Sequence, residues 1–295
     1  MVHELRDWDI VSGVGITALG VAAARAVETS RDDALVRDPY AADFVCSAES
    51  PFPMPTRAED VADDDRRWSP MSAFLGLRSR FLDEYLLDSC NGAGEAGVRQ
   101  VVVLAAGLDS RAFRLPWPHG VTVHEVDQPR VLEFKDEVLD RSGAEPGCTR
   151  RVVPVDLRDD WAGALVGSGF DPAAPTCWLA EGLMPYLPGD AAERLLTTVH
   201  ELSAHGSTIA VEYMPRMGSI FADSSAASLA AGFGIDLAAL LSDADYDPNA
   251  RLAELGWAVD EVTAAQLADR YGRTFDDGEI AELAGNGRYL TARKR

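Results

Sequence analysis

Seven short runs rich in apolar and β-branched residues punctuate the chain from its first third onward, at 101–104, 121–126, 151–155, 176–180, 208–212, 257–262 and 288–292. Helical patterns intervene, most clearly at 129–141, 190–203 and 264–271. Strands that alternate with helices predict a mostly parallel sheet covered by helices on both faces. The run Val101-Val-Val-Leu104 is apolar in both side-chain directions and ends at Gly107, as expected of a central parallel strand that breaks into a tight turn before a helix.

The first third reads differently. Residues 17–29 favour helix, Asp38-Pro39 interrupts the chain, a short helical stretch starts at Tyr40, and 50–65 is an acidic, proline-rich connector. From 69 to 89 the apolar positions repeat at helical spacing, with Phe74, Phe81, Leu82, Tyr85 and Ser89 on one side and Arg78 at its centre. Arg80 projects nearly opposite, toward solvent. A guanidinium aimed into an apolar face must meet an anion, because leaving it unpaired is costly. Between the fifth and sixth strands, 215–256 is Ala- and Leu-rich and long for a crossover, which suggests a helical cap. The expected organisation is one elaborated domain over 1–295: a helical section at 1–95, a core at 96–213, a cap at 214–256 and C-terminal strands at 257–295.

Charge narrows the partners. With 27 basic and 48 acidic residues in 295, the net charge is −21, and only Lys135 and Lys294 are lysines. Such a surface repels phosphate backbones and anionic lipid, so neither nucleic acid nor a membrane is an expected partner; a small-molecule substrate is. Cys46, Cys90, Cys148 and Cys177 lie far apart without a Cys-x-x-Cys pair, which predicts no metal site and no disulfide framework and fits a reducing cytoplasm. The uncharged segment 10–24 is too short to span a bilayer and follows an acidic flank, so an amphipathic helix is expected there.

In open α/β sheets, ligands bind at the carboxyl ends of the strands where the connection order reverses. The first four strands end in Ala105 to Gly107, in Asp127, in Asp156 with Leu157, and in Glu181. A dinucleotide site wants a Gly-x-Gly-x-x-Gly turn, whereas this turn has the single glycine Gly107 and places Asp109 where a pyrophosphate would lie. A phosphate-free, partly cationic cofactor fits better, and S-adenosyl-L-methionine is one. Asp127, twenty residues after Gly107, would accept from the ribose hydroxyls, and Asp156 with the Leu157 N–H would meet the adenine. Glu181 would face the ammonium, and Arg78 would pair with the carboxylate of the methionine end. A structural ion pair remains open for Arg78, and a turn-capping role for Asp156 and Glu181. Tyr186, Tyr213 and Met214, with Met217 and Phe221, are candidate substrate contacts, and the histidines nominate no catalytic base.

Four strings carry a resemblance: Gln100 to Arg111, Glu125-Val-Asp-Gln-Pro129, Val155-Asp-Leu157 and Ala180-Glu-Gly-Leu-Met-Pro-Tyr-Leu187. Together with Asp38-Pro-Tyr-Ala41, Arg78-Ser-Arg-Phe81 and Arg288-Tyr-Leu-Thr-Ala-Arg293, they resemble the leucine carboxyl methyltransferase-like branch of class I S-adenosylmethionine-dependent methyltransferases, in its actinobacterial O-methyltransferase group. The resemblance implies a Rossmann-like sheet of seven strands with the last antiparallel, and cofactor contacts at Arg78, Ala105, Gly107, Asp127, Asp156, Leu157 and Glu181. It also implies an O-methyltransferase whose acceptor is a small-molecule carboxylate or hydroxyl. Alternatives are a nicotinamide-dependent oxidoreductase and a non-catalytic binding module. One departure stands out: Ala105 occupies the first position of a turn that is commonly Gly-Ala-Gly in the family, where a methyl group is strained if φ is positive.

Overall fold

The computed structural model describes residues 9–62, 65, 68–92, 97–215, 236–242, 246–275 and 285–295. Its strands are β1 Gln100–Leu104, β2 Thr122–Asp127, β3 Thr149–Pro154, β4 Thr176–Ala180, β5 Thr208–Tyr213, β6 Trp257–Thr263 and β7 Arg288–Lys294. They form one sheet in the order β3-β2-β1-β4-β5-β7-β6, with β7 antiparallel to both of its neighbours and the other pairings parallel. The connection order reverses between β1 and β4, which places the switch point at the centre of the sheet. The seven expected strands are all present, with ends moved by at most two residues.

Successive side chains of a strand face opposite sides, and the central strands are apolar on both. Val101 and Val103 of β1 join Cys177 and Leu179 of β4 in one core. Val102 and Leu104 join Trp178 and Ala180 in the other. The first core is covered by α3 (Trp68–Asn91) and α10 (Ala264–Tyr271), and the second by α6 (Trp161–Gly167) and α7 (Gly189–Glu201). Helix α10 starts at a capping box in which Thr263 and Gln266 satisfy each other's backbone N–H groups, and it stops at Gly272 with φ 66°.

The N-terminal helices α1 (Gly15–Thr29) and α2 (Ala41–Ser47) build a third apolar cluster with α5 (Pro129–Arg141). Helix α1 also lies against α3. The contact is close because Gly76 of α3 faces the Glu28 side chain, where a Cβ would come within 2.6 Å of the carboxyl carbon. The remaining helices are α4 (Arg111–Arg114), α8 (Leu237–Leu240) and α9 (Pro248–Glu254). Much of the expected cap, including Met217 and Phe221, lies outside the described residues. Among the described residues no helix is long and apolar enough to cross a membrane, and no cluster of side chains has the makings of a metal site.

Candidate active site

Register brings the strand ends level. Leu104 pairs with both Val126 and Ala180, and Ala180 pairs with Val211. The next residue of each strand or turn, Ala105, Asp127, Glu181 and Glu212, therefore falls on a single row along the carboxyl edge of the sheet. Four positions converge there from a stretch of chain that spans more than a hundred residues, 105 to 212.

At the β1 end the chain turns sharply. Ala105 has φ 52°, and it is the only non-glycine residue with positive φ among the described residues; Gly107 follows with φ 47°. The Ala106 N–H donates to the Val126 carbonyl at 3.0 Å, and the Gly107 N–H donates to Asp127 Oδ2 at 2.6 Å. Asp127 Oδ1 accepts from the Gln128 N–H, also at 2.6 Å. A carboxylate offers about four lone-pair sites, so these two bonds leave room for two further donors, as the diol of a ribose would supply. Burial pushes the Asp127 carboxyl above its ordinary range, although the two backbone donors pull the other way. The start of α1 roofs this turn: a Cβ on Gly107 would stand 3.7 Å from the Ala18 methyl.

At the β4 and β5 ends lies a buried ionic cluster. Arg78, on the apolar face of α3, places Nε 2.9 Å from Glu181 and Nη1 3.0 Å from Glu212. Glu181 reaches in the other direction to Arg111 Nη1 at 2.6 Å. Arg111 also bonds Asp83 and Asp109, and Arg114 closes the group on Asp83. Burial disfavours the charges of Arg78, Asp109, Arg111, Arg114, Glu181 and Glu212, and the pairing opposes it. For Glu181, Arg111 and Arg78 outweigh burial and hold its carboxyl below the usual range. For Glu212 burial wins over Arg78, with the neighbouring Glu181 charge adding to it, and the carboxyl is pushed up. Among the described residues, Arg78 Nη2 donates no hydrogen bond, which leaves one edge of the guanidinium for an incoming anion.

Several expectations are met in position, and others shift. Arg78, Ala105, Gly107, Asp127 and Glu181 do converge on one edge. The ion-pair reading of Arg78 is realised, with Glu181 facing Nε and Glu212 facing Nη1. Asp109, expected to repel phosphate, has its charge compensated by Arg111. Asp156 is occupied: it accepts from the Arg158 backbone N–H and guanidinium and from Gln128 Nε2 at 3.0 Å, so the turn-capping role is realised. That ion pair is part-exposed, and an adenine amino group would share Asp156 with it. Leu157 is half-buried and packs on the second core.

Tyr186, a candidate substrate contact, turns its hydroxyl toward the N-terminal helix. The hydroxyl donates to Thr17 Oγ1 of α1 at 3.1 Å, and the Thr17 hydroxyl in turn donates to the Val14 carbonyl, so Tyr186 ties the β4 turn to that helix. Tyr213 and Met214 do line a small cavity of about 20 Å³ beside the β4 and β5 ends, together with Met184, Pro185, Leu187, Ser242 and Tyr246.

Two functional-looking residues escaped the sequence reading. Glu212 ends the fifth strand, and carrying the rule of acids at strand ends one strand further would have found it. Arg111 ends the Gln100 to Arg111 string and is buried at the start of α4, which no local pattern in the sequence records.

Comparison with known proteins agrees with the geometry. The family model for leucine carboxyl methyltransferase matches residues 18–200. A relative in Saccharopolyspora erythraea, provisionally named an S-adenosyl-L-methionine-dependent methyltransferase, is 49% identical over 289 residues and covers 98% of each chain. A Rhodococcus jostii protein with the same kind of provisional name is 48% identical over 298 residues, again covering 98% of each. A crystal structure from Thermobifida fusca, described as that of a provisional methyltransferase, shares the fold at TM-score 0.52 and 15% identity, covering 93% of this chain and 94% of that one.

Proposed function

The chain belongs to the leucine carboxyl methyltransferase family, and we propose that this S-adenosylmethionine-dependent methyltransferase delivers the methyl group to an oxygen of a small molecule, a carboxylate in preference to a hydroxyl. Bound S-adenosylmethionine supplies an electrophilic methyl group on a sulfonium. Asp127 would hold the ribose hydroxyls, Gly107 and Ala105 would let the backbone approach the nucleoside, and Asp156 with Leu157 would border the adenine. Arg78 and Glu181 would take the carboxylate and ammonium of the amino-acid end through charge-assisted bonds. The buried cluster fixes those groups before the donor arrives, and holding the reactants close and aligned supplies much of the rate of a direct displacement.

The observation that carries the choice of acceptor is the chemistry of the cavity wall at the β4 and β5 ends. Its described lining holds no Asp, Glu, His or Lys; the titratable groups are tyrosines, and burial pushes Tyr246 up to about 12. Among the described residues, this wall offers no group able to take a proton from an alcohol near neutral pH. A carboxylate acceptor arrives ionised and needs none. The carboxyl acceptor denoted by the family's own name points the same way.

The test uses a labelled methyl donor with a panel of small carboxylic acids, phenols and alcohols, and a peptide ending in leucine for comparison. Methyl esters release labelled methanol in alkali and methyl ethers do not. Alkali-labile label on small acids is the expected result; alkali-stable label, or label on the peptide alone, overturns it.

A further inference from the structure

Glu212 has no part in the contacts assigned so far to the donor, yet it sits at their hub. It is almost fully buried at the end of β5 and accepts from Arg78 Nη1 at 3.0 Å and from the Gly182 N–H at 2.7 Å. Gly182 directly follows Glu181 and adopts φ 63°, and a Cβ there would stand 3.8 Å from both Arg78 Nη1 and Glu212 Oε2. One carboxylate thus fixes the guanidinium and the turn that carries Glu181.

Charge balance suggests what the arrangement awaits. Three guanidinium groups, those of Arg78, Arg111 and Arg114, face four carboxylates, those of Asp83, Asp109, Glu181 and Glu212. A sulfonium and an ammonium against one carboxylate give the donor a single net positive charge, which favours the ionised form of the Glu212 carboxyl that burial disfavours. Across the β5–β7 register Tyr289 stands opposite Glu212, and its buried hydroxyl has no partner among the described residues.

We propose that Glu212 is a positioning residue for methyl-donor binding: by holding Arg78 and the Gly182 N–H together, it sets both sides of the pocket for the donor's amino-acid end. The inference rests on the assignment of Arg78 to that end of the donor and is independent of the acceptor.

The test compares two ligands on the full-length protein. S-adenosylhomocysteine carries the amino-acid end, and 5′-methylthioadenosine keeps the nucleoside but lacks it. Calorimetry on Glu212→Ala is expected to show at least tenfold weaker binding of S-adenosylhomocysteine and less than twofold change for 5′-methylthioadenosine. Glu212→Gln, which keeps an oxygen for the Gly182 N–H, loses less, and it carries the comparison if the alanine variant does not fold. Because Glu212 acts through Arg78, the Arg78→Ala/Glu212→Ala double variant should bind no more weakly than Arg78→Ala alone. Equal losses for both ligands, unchanged affinity in folded Glu212 variants, or additive losses in the double variant overturn the proposal. If Arg78→Ala fails to discriminate the two ligands, the Arg78 assignment falls; if it discriminates and the Glu212 variants do not, only the role of Glu212 falls.

Discussion

Asp127 Oδ2 accepts the Gly107 N–H at 2.6 Å, so the acid that ends β2 braces the glycine turn that ends β1. The same carboxylate takes the Gln128 N–H on its other oxygen, and these two bonds fix its plane. Replacing Asp127 with Asn would turn an N–H₂ group toward one of those backbone donors and remove the charge. Donor affinity should fall at least tenfold, about 1.4 kcal/mol, as measured by calorimetry with S-adenosylhomocysteine. A folded Asp127→Asn protein that binds as tightly as wild type would remove Asp127 from the ribose site.

Ala105 carries strain at the neighbouring position. Its φ of 52° lies in the left-handed region, where an alanine is roughly 1 kcal/mol worse off than a glycine. Glycine also loses more chain entropy on folding, which returns part of the difference. The Ala105→Gly variant should therefore be more stable by up to about 1 kcal/mol in urea denaturation, with donor affinity equal or tighter. A variant that is clearly less stable would mean that the Ala105 methyl makes contacts worth more than its strain.

Local signals located the strands and the edge but not the ionic wiring. Val101 to Leu104 and Thr176 to Ala180 are legible because a strand buried on both faces must be apolar throughout, and the packing of the sheet imposes the same demand. Asp127 is legible because one crossover from turn to strand end fixes its distance from Gly107. Arg78 is legible as an arginine on an apolar helix face, which says that an anion faces it but not which one. Its partners Glu181 and Glu212 lie more than a hundred residues away, and no periodicity records a pairing that only the sheet register creates. A turn-capping role for Asp156 was open in the sequence, but spacing alone cannot decide between a ligand contact and a capped turn, and the Arg158 N–H decides for the turn.

Packing of the N-terminal section gives a separate prediction. Glu28 is fully buried, accepts the Leu35 N–H at 2.7 Å and pairs with Arg273 at 2.9 Å, so its side chain cannot swing away from an added group. A Cβ at Gly76 would meet Glu28 atoms at 2.6 to 2.7 Å. Overpacking of this kind typically costs about 1–3 kcal/mol, against roughly 1 kcal/mol gained in helix propensity. Gly76→Ala should lose about 1–2 kcal/mol of stability by thermal or urea unfolding. A neutral or stabilising effect would show that α1 and α3 can part without penalty.

His124 supplies a pH dependence whose sign is fixed by its surroundings. It is buried in β2, with Nδ1 2.9 Å from Ser168 Oγ and its ring edge-on to Phe170. Burial, and secondarily the Arg151 charge, pushes its pKa down from 6.5 to about 4. The unfolded chain takes up this proton near pH 6.5 and the folded protein only near pH 4, so between those values the unfolded state binds more protons. The contribution is fully present above pH 6.5 and is lost as pH falls, by about 3 kcal/mol at pH 4. Asn cannot titrate in that window, so the stability advantage of wild type over His124→Asn should shrink by about that amount between pH 7 and pH 4, read from urea unfolding at each pH. A difference that stays constant across the window would mean that His124 is protonated in the folded protein as readily as in the unfolded chain.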